Sequence, residues 1–184
     1  MPKPEVWISV DIEADGPIPG DYSMLSLGAC VVGDTDTQFY IEFQPIADRF
    51  VPAALAVSGL DRTALQQTGV APLVAMQQFA DWVQLVTGAE RTAVFVAFNA
   101  PFDWMFVQWY FVHFGVINPF GVTALDIKAY AMGTLALSQW ADTSRSRLDA
   151  QFTQGRELSH NALGDAIAQA RTLQALQAYR GSCY

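Results

Sequence analysis

Lysine is nearly missing from this chain: Lys3 and Lys128 are the only two in 184 residues. Lysine and arginine together number 10 against 18 acids, and the formal net charge is −8. Such a chain lacks the broad cationic face that gives tight, salt-sensitive binding to long duplexes. It therefore argues against a processive enzyme on duplex DNA, while leaving room for short or single-stranded ligands held through metals and a few arginines. Cysteine is also scarce. Cys30 lies in an apolar strand-like run and Cys183 lies beside the last residue, with no CxxC or Cys/His neighbourhood around either. This excludes a disulfide framework and a thiolate metal site, and points to a reducing, cytoplasmic setting. Long hydrophobic runs are absent too. The most apolar stretch, 93–120, is interrupted by Asn99, Pro101, Asp103, Gln108 and His113, so it does not span a membrane. The opening Met-Pro-Lys-Pro-Glu has no signal-peptide core. No repeat, low-complexity tract or boundary interrupts the chain, and 52% of residues are hydrophobic, so residues 1–184 are expected to form a single soluble domain.

What is present begins with Val6-Trp7-Ile8-Ser9-Val10-Asp11-Ile12-Glu13, an apolar run that ends in two carboxylates. As a strand it places Val6, Ile8, Val10 and Ile12 on one face and Trp7, Ser9, Asp11 and Glu13 on the other. Two acids at alternate positions of a buried strand end repel each other and call for neutralisation. Their Cα atoms stand roughly 6.6 Å apart, a reach suited to bracketing two cations roughly 3.5–4 Å apart, as in two-metal phosphodiester cleavage. A lone Asp-x-Glu is more often an exposed acidic strand end, so the rest of the chain has to decide.

After Glu13, the segment 14–22 is a turn-rich loop. Residues 24–32 read as a second strand, 33–36 as a hairpin turn and 38–43 as a third strand, which makes an antiparallel meander. A short helix is expected over 52–57, a turn at 58–61, and an amphipathic helix over 71–86. Ala93 to Phe98 reads as a parallel strand buried on both faces. It runs directly into a helix from about 101 to 114, with Pro101 in the first turn and Asp103 favoured by the helix dipole. Asp126 is expected to cap a helix over 127–136. The polar stretch 141–159 is partly helical, and a final helix follows from about 160 to 179. The expected fold is α/β, a mixed sheet of three antiparallel strands plus parallel strands, flanked by helices, with ligands at the sheet-edge crevice.

Three acid-bearing segments stand apart in sequence: Asp11/Glu13, Asp103 and Asp165, with His160 five residues before the last. Taken singly, each has an ordinary structural explanation. In this order the chain resembles the 3′-to-5′ exonuclease superfamily with four acids and a histidine (DEDDh) on the ribonuclease H-like fold, which includes oligoribonuclease, ribonuclease T and the bacterial proofreading exonuclease. Its Asp-x-Glu, Asn-x-x-Phe-Asp and His-x₄-Asp motifs are matched by Asp11-Ile12-Glu13, Asn99-Ala100-Pro101-Phe102-Asp103 and His160 to Asp165. The resemblance implies that Asp11, Glu13, Asp103 and Asp165 bind two Mg²⁺ or Mn²⁺ ions and that His160 is the general base. Hard oxygen ligands favour those ions over zinc, and a neutral imidazole suits proton transfer near neutral pH.

The same resemblance makes Ala14, Gly16, Met24 and Leu25 candidates for gripping the terminal nucleotide. Phe102 is a candidate to stack near a base, and Arg145, Arg147 and Arg156 are candidates for phosphate contact. Core packing competes for Met24, Leu25 and Phe102, and a solvated charge run competes for the arginines. Asn99 is expected to brace its turn. The loop 15–21 departs from the short Thr-Gly turn of many proofreading relatives: its prolines stiffen the entrance, and Asp15 adds a charge beside the site. The expected activity is hydrolysis of single-stranded RNA or short oligonucleotides from 3′ ends to nucleoside 5′-monophosphates, with RNA favoured on charge and size. The alternatives are a DNA 3′-exonuclease of trimming or proofreading type and a non-catalytic nucleic-acid-binding module. An endonuclease on the same fold is disfavoured by the His-x₄-Asp spacing. The apolar helix over 104–111 is either a core helix or a homodimer face.

Overall fold

The computed structural model describes residues 3–152 and 161–182. Its centre is one five-stranded mixed sheet of order β3-β2-β1-β4-β5. The strands are β1 (Glu5–Ala14), β2 (Met24–Val31), β3 (Asp34–Glu42), β4 (Thr92–Ala97) and β5 (Ala124–Asp126). Strand β1 pairs antiparallel with β2 and parallel with β4, and β4 pairs parallel with β5. The helices are α1 (Pro52–Ser58), α2 (Arg62–Thr68), α3 (Pro72–Thr87), α4 (Ala100–His113), α5 (Ile127–Thr134), α6 (Arg145–Phe152) and α7 (Ala162–Ser182), with a 3₁₀ turn at Trp140–Thr143. None is long and apolar enough to cross a membrane.

The alternation of β1 decides how the layers form. Val6, Ile8, Val10 and Ile12 are buried against α3 and α4, in a cluster that holds Phe79, Phe95, Phe106, Tyr110 and Phe111. On the opposite face Trp7, Val94, Val96 and Phe98 meet Ile127, Leu148, Leu173 and Leu176 of α5, α6 and α7. Burying apolar surface on both faces is what makes β4 a near-continuous hydrophobic run. The aromatic stretch of α4 finds its partners inside the chain: Phe106, Val107, Tyr110 and Phe111 are fully buried, so it is a core helix.

Several boundaries differ from expectation. The β2–β3 turn is only Val32-Gly33, and Gly33 takes the positive φ (98°) that a two-residue hairpin turn needs. Strand β3 therefore starts at Asp34, and Asp34, Thr35 and Asp36, expected in the turn with Gly33, form a bulged strand start in which Asp34 accepts a hydrogen bond from the Thr37 hydroxyl. Helix α2 was not foreseen; Asp61 caps it by accepting from the Thr63 and Ala64 N–H groups. Nor was β5, which has three residues and no periodic pattern. Asp126 does cap α5, through the Lys128 N–H.

Candidate active site

Pairing between β1 and β4 stops at Ser9–Val96, so β1 runs on past its neighbour for five residues. The backbone groups left open there need partners. Buried Gln169 of α7 donates from Nε2 to the Val10 carbonyl (2.7 Å), and its Oε1 accepts from the Phe98 N–H (2.6 Å), tying the ends of β1 and β4 together. The Ile12 N–H donates to the Asp103 carboxylate at 3.1 Å. Asp103 reaches it from the first turn of α4, which begins where β4 ends. Asn99 braces that junction in a left-handed conformation (φ 65°), and its N–H donates to Asp126 at 3.2 Å.

Asp11 and Glu13 point toward α7. The N-terminus of α7 lies directly against β2 at Gly28, the residue paired with Asp11. A Cβ at Gly28 would stand 2.2 Å from the Leu163 nitrogen, so only glycine permits this approach. The Ser9 hydroxyl, donating to the Ala166 carbonyl at 2.8 Å, fixes the same helix against β1. The result is that one carboxylate oxygen each from Asp11, Glu13 and Asp165 lie within 4.8 Å of one another.

The electrostatics follow from this crowding. Burial pushes Asp11 well above the ordinary carboxylate range, and Asp103, Asp165 and Glu13 push it further, while Arg145 opposes them. Glu13 is raised to about 7 by burial and then by Asp165. Asp103 is raised to about 8 by burial, against the Ile12 hydrogen bond, with Glu13 and Asp126 adding to the rise. Partly desolvated carboxylates this close demand protons or cations. A hard, all-oxygen donor set of this kind fits divalent metal ions.

The other predicted residues divide. Met24 and Leu25, expected to grip a nucleotide, are fully buried; Met24 belongs to the core under α4, and its N–H donates to the Tyr110 hydroxyl at 2.8 Å. Neither side chain has a face to offer a ligand. Ala14 and Gly16 are also buried, Gly16 against the Tyr22 ring. Phe102 is 36% exposed at the start of α4 and packs on Phe106. Arg145 stands over the Phe98 ring, whereas Arg147 pairs with Asp142 at the surface. His160 and Arg156 lie outside the described residues. Asp15 does not add free charge to the site. It is fully buried, ion-paired with Arg62 at 2.9 Å, and accepts the Ser23 N–H. Sequence reasoning missed Gln169, Gly28 and Arg62. Gln169 alone left a signal, a polar residue set among Ala162, Ala166, Ala170, Leu173 and Leu176 at helical spacing.

A mixed sheet of this order, with carboxylates gathered where β1 outruns β4, defines the ribonuclease H-like class of nuclease folds. No protein-family model matches the chain. It is 43% identical over 166 residues, covering 90% of this chain and 88% of the relative, to the Escherichia coli 3′-5′ DNA exonuclease Cap18. Among solved structures it resembles the nuclease domain of 3′hExo, a DEDDh family member, with TM-score 0.77 and 14% identity over 94% of this chain and 92% of that one. It also resembles E. coli ExoI in a single-stranded DNA complex, with TM-score 0.68 and 17% identity over 98% of this chain and 43% of that one. The chain belongs to the DEDDh family of 3′-to-5′ exonucleases.

Proposed function

We propose that this exonuclease trims single-stranded DNA from the 3′ end, releasing nucleoside 5′-monophosphates with the help of two Mg²⁺ or Mn²⁺ ions. The observation that carries the chemistry is the convergence of Asp11, Glu13 and Asp165 within 4.8 Å, with Asp103 anchored to the backbone between the first two. These four carboxylates are the groups to hold the ions, which when bound supply positive charge to the reacting phosphate and acidify water. Asp103 and Glu13 keep their positions through β1 and α4, so little reorganisation is left for the moment of reaction.

His160, placed by its motif, takes the proton from the attacking water. The new P–O bond forms as the bond from phosphorus to the 3′ oxygen of the penultimate nucleotide breaks. That oxygen is protonated and the terminal nucleotide departs with its 5′ phosphate. The acidic charge of the chain disfavours long duplexes and does not choose a sugar. The 43% identity to a relative named as a DNA exonuclease supports DNA over the RNA preference that charge and size suggested.

The test is product analysis on matched 5′-labelled DNA and RNA oligomers with Mg²⁺, with Mn²⁺ and with chelator. A stepwise ladder on DNA, absent in chelator, with a circular single strand left intact, is the expected result. Equal or faster degradation of RNA overturns the sugar assignment, and no metal-dependent release from either overturns the proposal. Asp103→Asn is expected to abolish cleavage. His160→Ala is expected to fold normally and lose about 10²–10⁴-fold in turnover.

A further inference from the structure

Two consecutive N–H groups at the end of β4 are held by different neighbours. The Phe98 N–H donates to Gln169, which also holds the Val10 carbonyl of β1. The Asn99 N–H donates to Oδ1 of Asp126, the last residue of β5, at 3.2 Å. The same oxygen accepts the Lys128 N–H at 2.9 Å and so caps α5. Asp126 stands opposite Ala97 in the β4–β5 register, so strand pairing fixes its reach to Asn99. Capping α5 needs only the bond to Lys128. The bond to Asn99 is an addition.

That addition falls where the chain is hardest to hold. Asn99 and Ala136 are the non-glycine residues with positive φ among those described, and Asn99 has φ 65°. A residue with a Cβ keeps this conformation when its surroundings enforce it. The Asn99 side chain makes no capping bond to α4, so it does not fix the turn itself. The torsion swings the chain from β4 into α4, and Asp103 follows one turn later with its carboxylate on the Ile12 N–H at 3.1 Å. We infer that Asp126 is a positioning residue of the exonuclease site: its bond to Asn99 sets the start of α4 and so aims Asp103 at the end of β1. The inference rests on the exonuclease reading and extends it to a residue outside the four acids. A shift of about 1 Å in a group that must meet the reacting atoms costs on the order of 10²-fold in rate.

The experiment compares two variants of the full chain. Asp126→Ser keeps a capping oxygen for the Lys128 N–H, since serine caps helices about as well as aspartate. That oxygen sits one bond closer to the backbone and falls short of Asn99. Asp126→Asn keeps an oxygen at the original reach for both bonds and removes only the charge. Each variant is measured for turnover on a 5′-labelled single-stranded DNA oligomer with Mg²⁺ and for melting temperature. Exchange of the Ile12 amide proton is followed by NMR in chelator. Ile12 lies past the last β1–β4 pair, so its protection reports the Asp103 contact. Asp126→Ser is expected to lose about 10- to 100-fold in turnover and to exchange Ile12 about 10-fold faster, with little change in melting. Asp126→Asn is expected to keep both near wild type. Should the serine variant melt early, the Val6 and Ile8 amides of the same strand are the reference. Acceleration confined to Ile12 supports the inference, and uniform acceleration overturns it. Unchanged turnover or unchanged Ile12 protection in Asp126→Ser also overturns it, as does an asparagine variant that loses as much as the serine one. A wild-type protein that cleaves no oligomer overturns the exonuclease reading, and Ile12 exchange then decides the role of Asp126 by itself.

Discussion

Asp15 and Asp11 are both aspartates of the same segment, yet their surroundings assign them different work. Asp11 faces three other carboxylates. Asp15 is turned inward, where Arg62 donates to it through Nε and also to the Ala47 carbonyl. The Asp15 backbone joins the same knot, its carbonyl accepting from Val51 and its N–H donating to Ser23. The loop after Glu13 is thus nailed to the segment before α1 through one buried ion pair. Removing one partner of such a pair leaves an uncompensated charge, so Arg62→Ala is expected to cost about 3–5 kcal/mol of stability. Chemical denaturation checks this; a loss under 1 kcal/mol would show that water reaches Asp15 freely. Nothing near Asp15 in sequence announces this role, because its partner lies 47 positions away.

Elements with a strong period were legible from the residues alone. The alternation of Val6 to Glu13 announced both faces of β1, and the unbroken apolar run before Asn99 announced a strand buried on both sides. Helix α4 was legible because Pro101 marks its first turn, and the three acid motifs were legible because each sits at the end of such an element. Short elements were not. Helix α2 has a single buried residue, Leu65, and β5 exists because β4 offers it an edge, which is tertiary context rather than local pattern. The seating of α7 was hidden for a related reason. It depends on Gly28 having no side chain, and a glycine in a strand does not say what approaches it. Gly28→Ala drives a methyl into the backbone at Ala162 and Leu163. The helix start must shift, with an expected cost of about 1–3 kcal/mol. Because Asp165 moves with it, cleavage is expected to fall further than the melting temperature alone explains. Full turnover in a destabilised variant would show that α7 tolerates the displacement.

At the scale of the molecule, the site stores repulsion that pH and metal release. In the metal-free protein Glu13 is raised to about 7 and Asp103 to about 8, whereas an unfolded chain releases those protons near pH 4. Between these limits the folded state binds more protons than the unfolded one, so stability is greatest at the acid end and declines as pH rises through 7 and 8. In chelator, the melting temperature is expected to fall from pH 5 to pH 8. Mg²⁺ or Mn²⁺ should remove much of that slope by replacing protons with metal charge, and Asp103→Asn should flatten it without metal. A level profile in chelator would contradict the burial of these groups. The gathering of residues 11, 13 and 165 has a further consequence for how the protein is made. A ribosome delivers β1 early and α7 only after the whole intervening stretch, residues 15–161. A nascent chain whose α7 is still inside the ribosome lacks the third carboxylate of the cluster and the helix that holds β1 to β4. The growing polypeptide therefore has no complete carboxylate cluster until α7 has emerged and docked against β1 and β2.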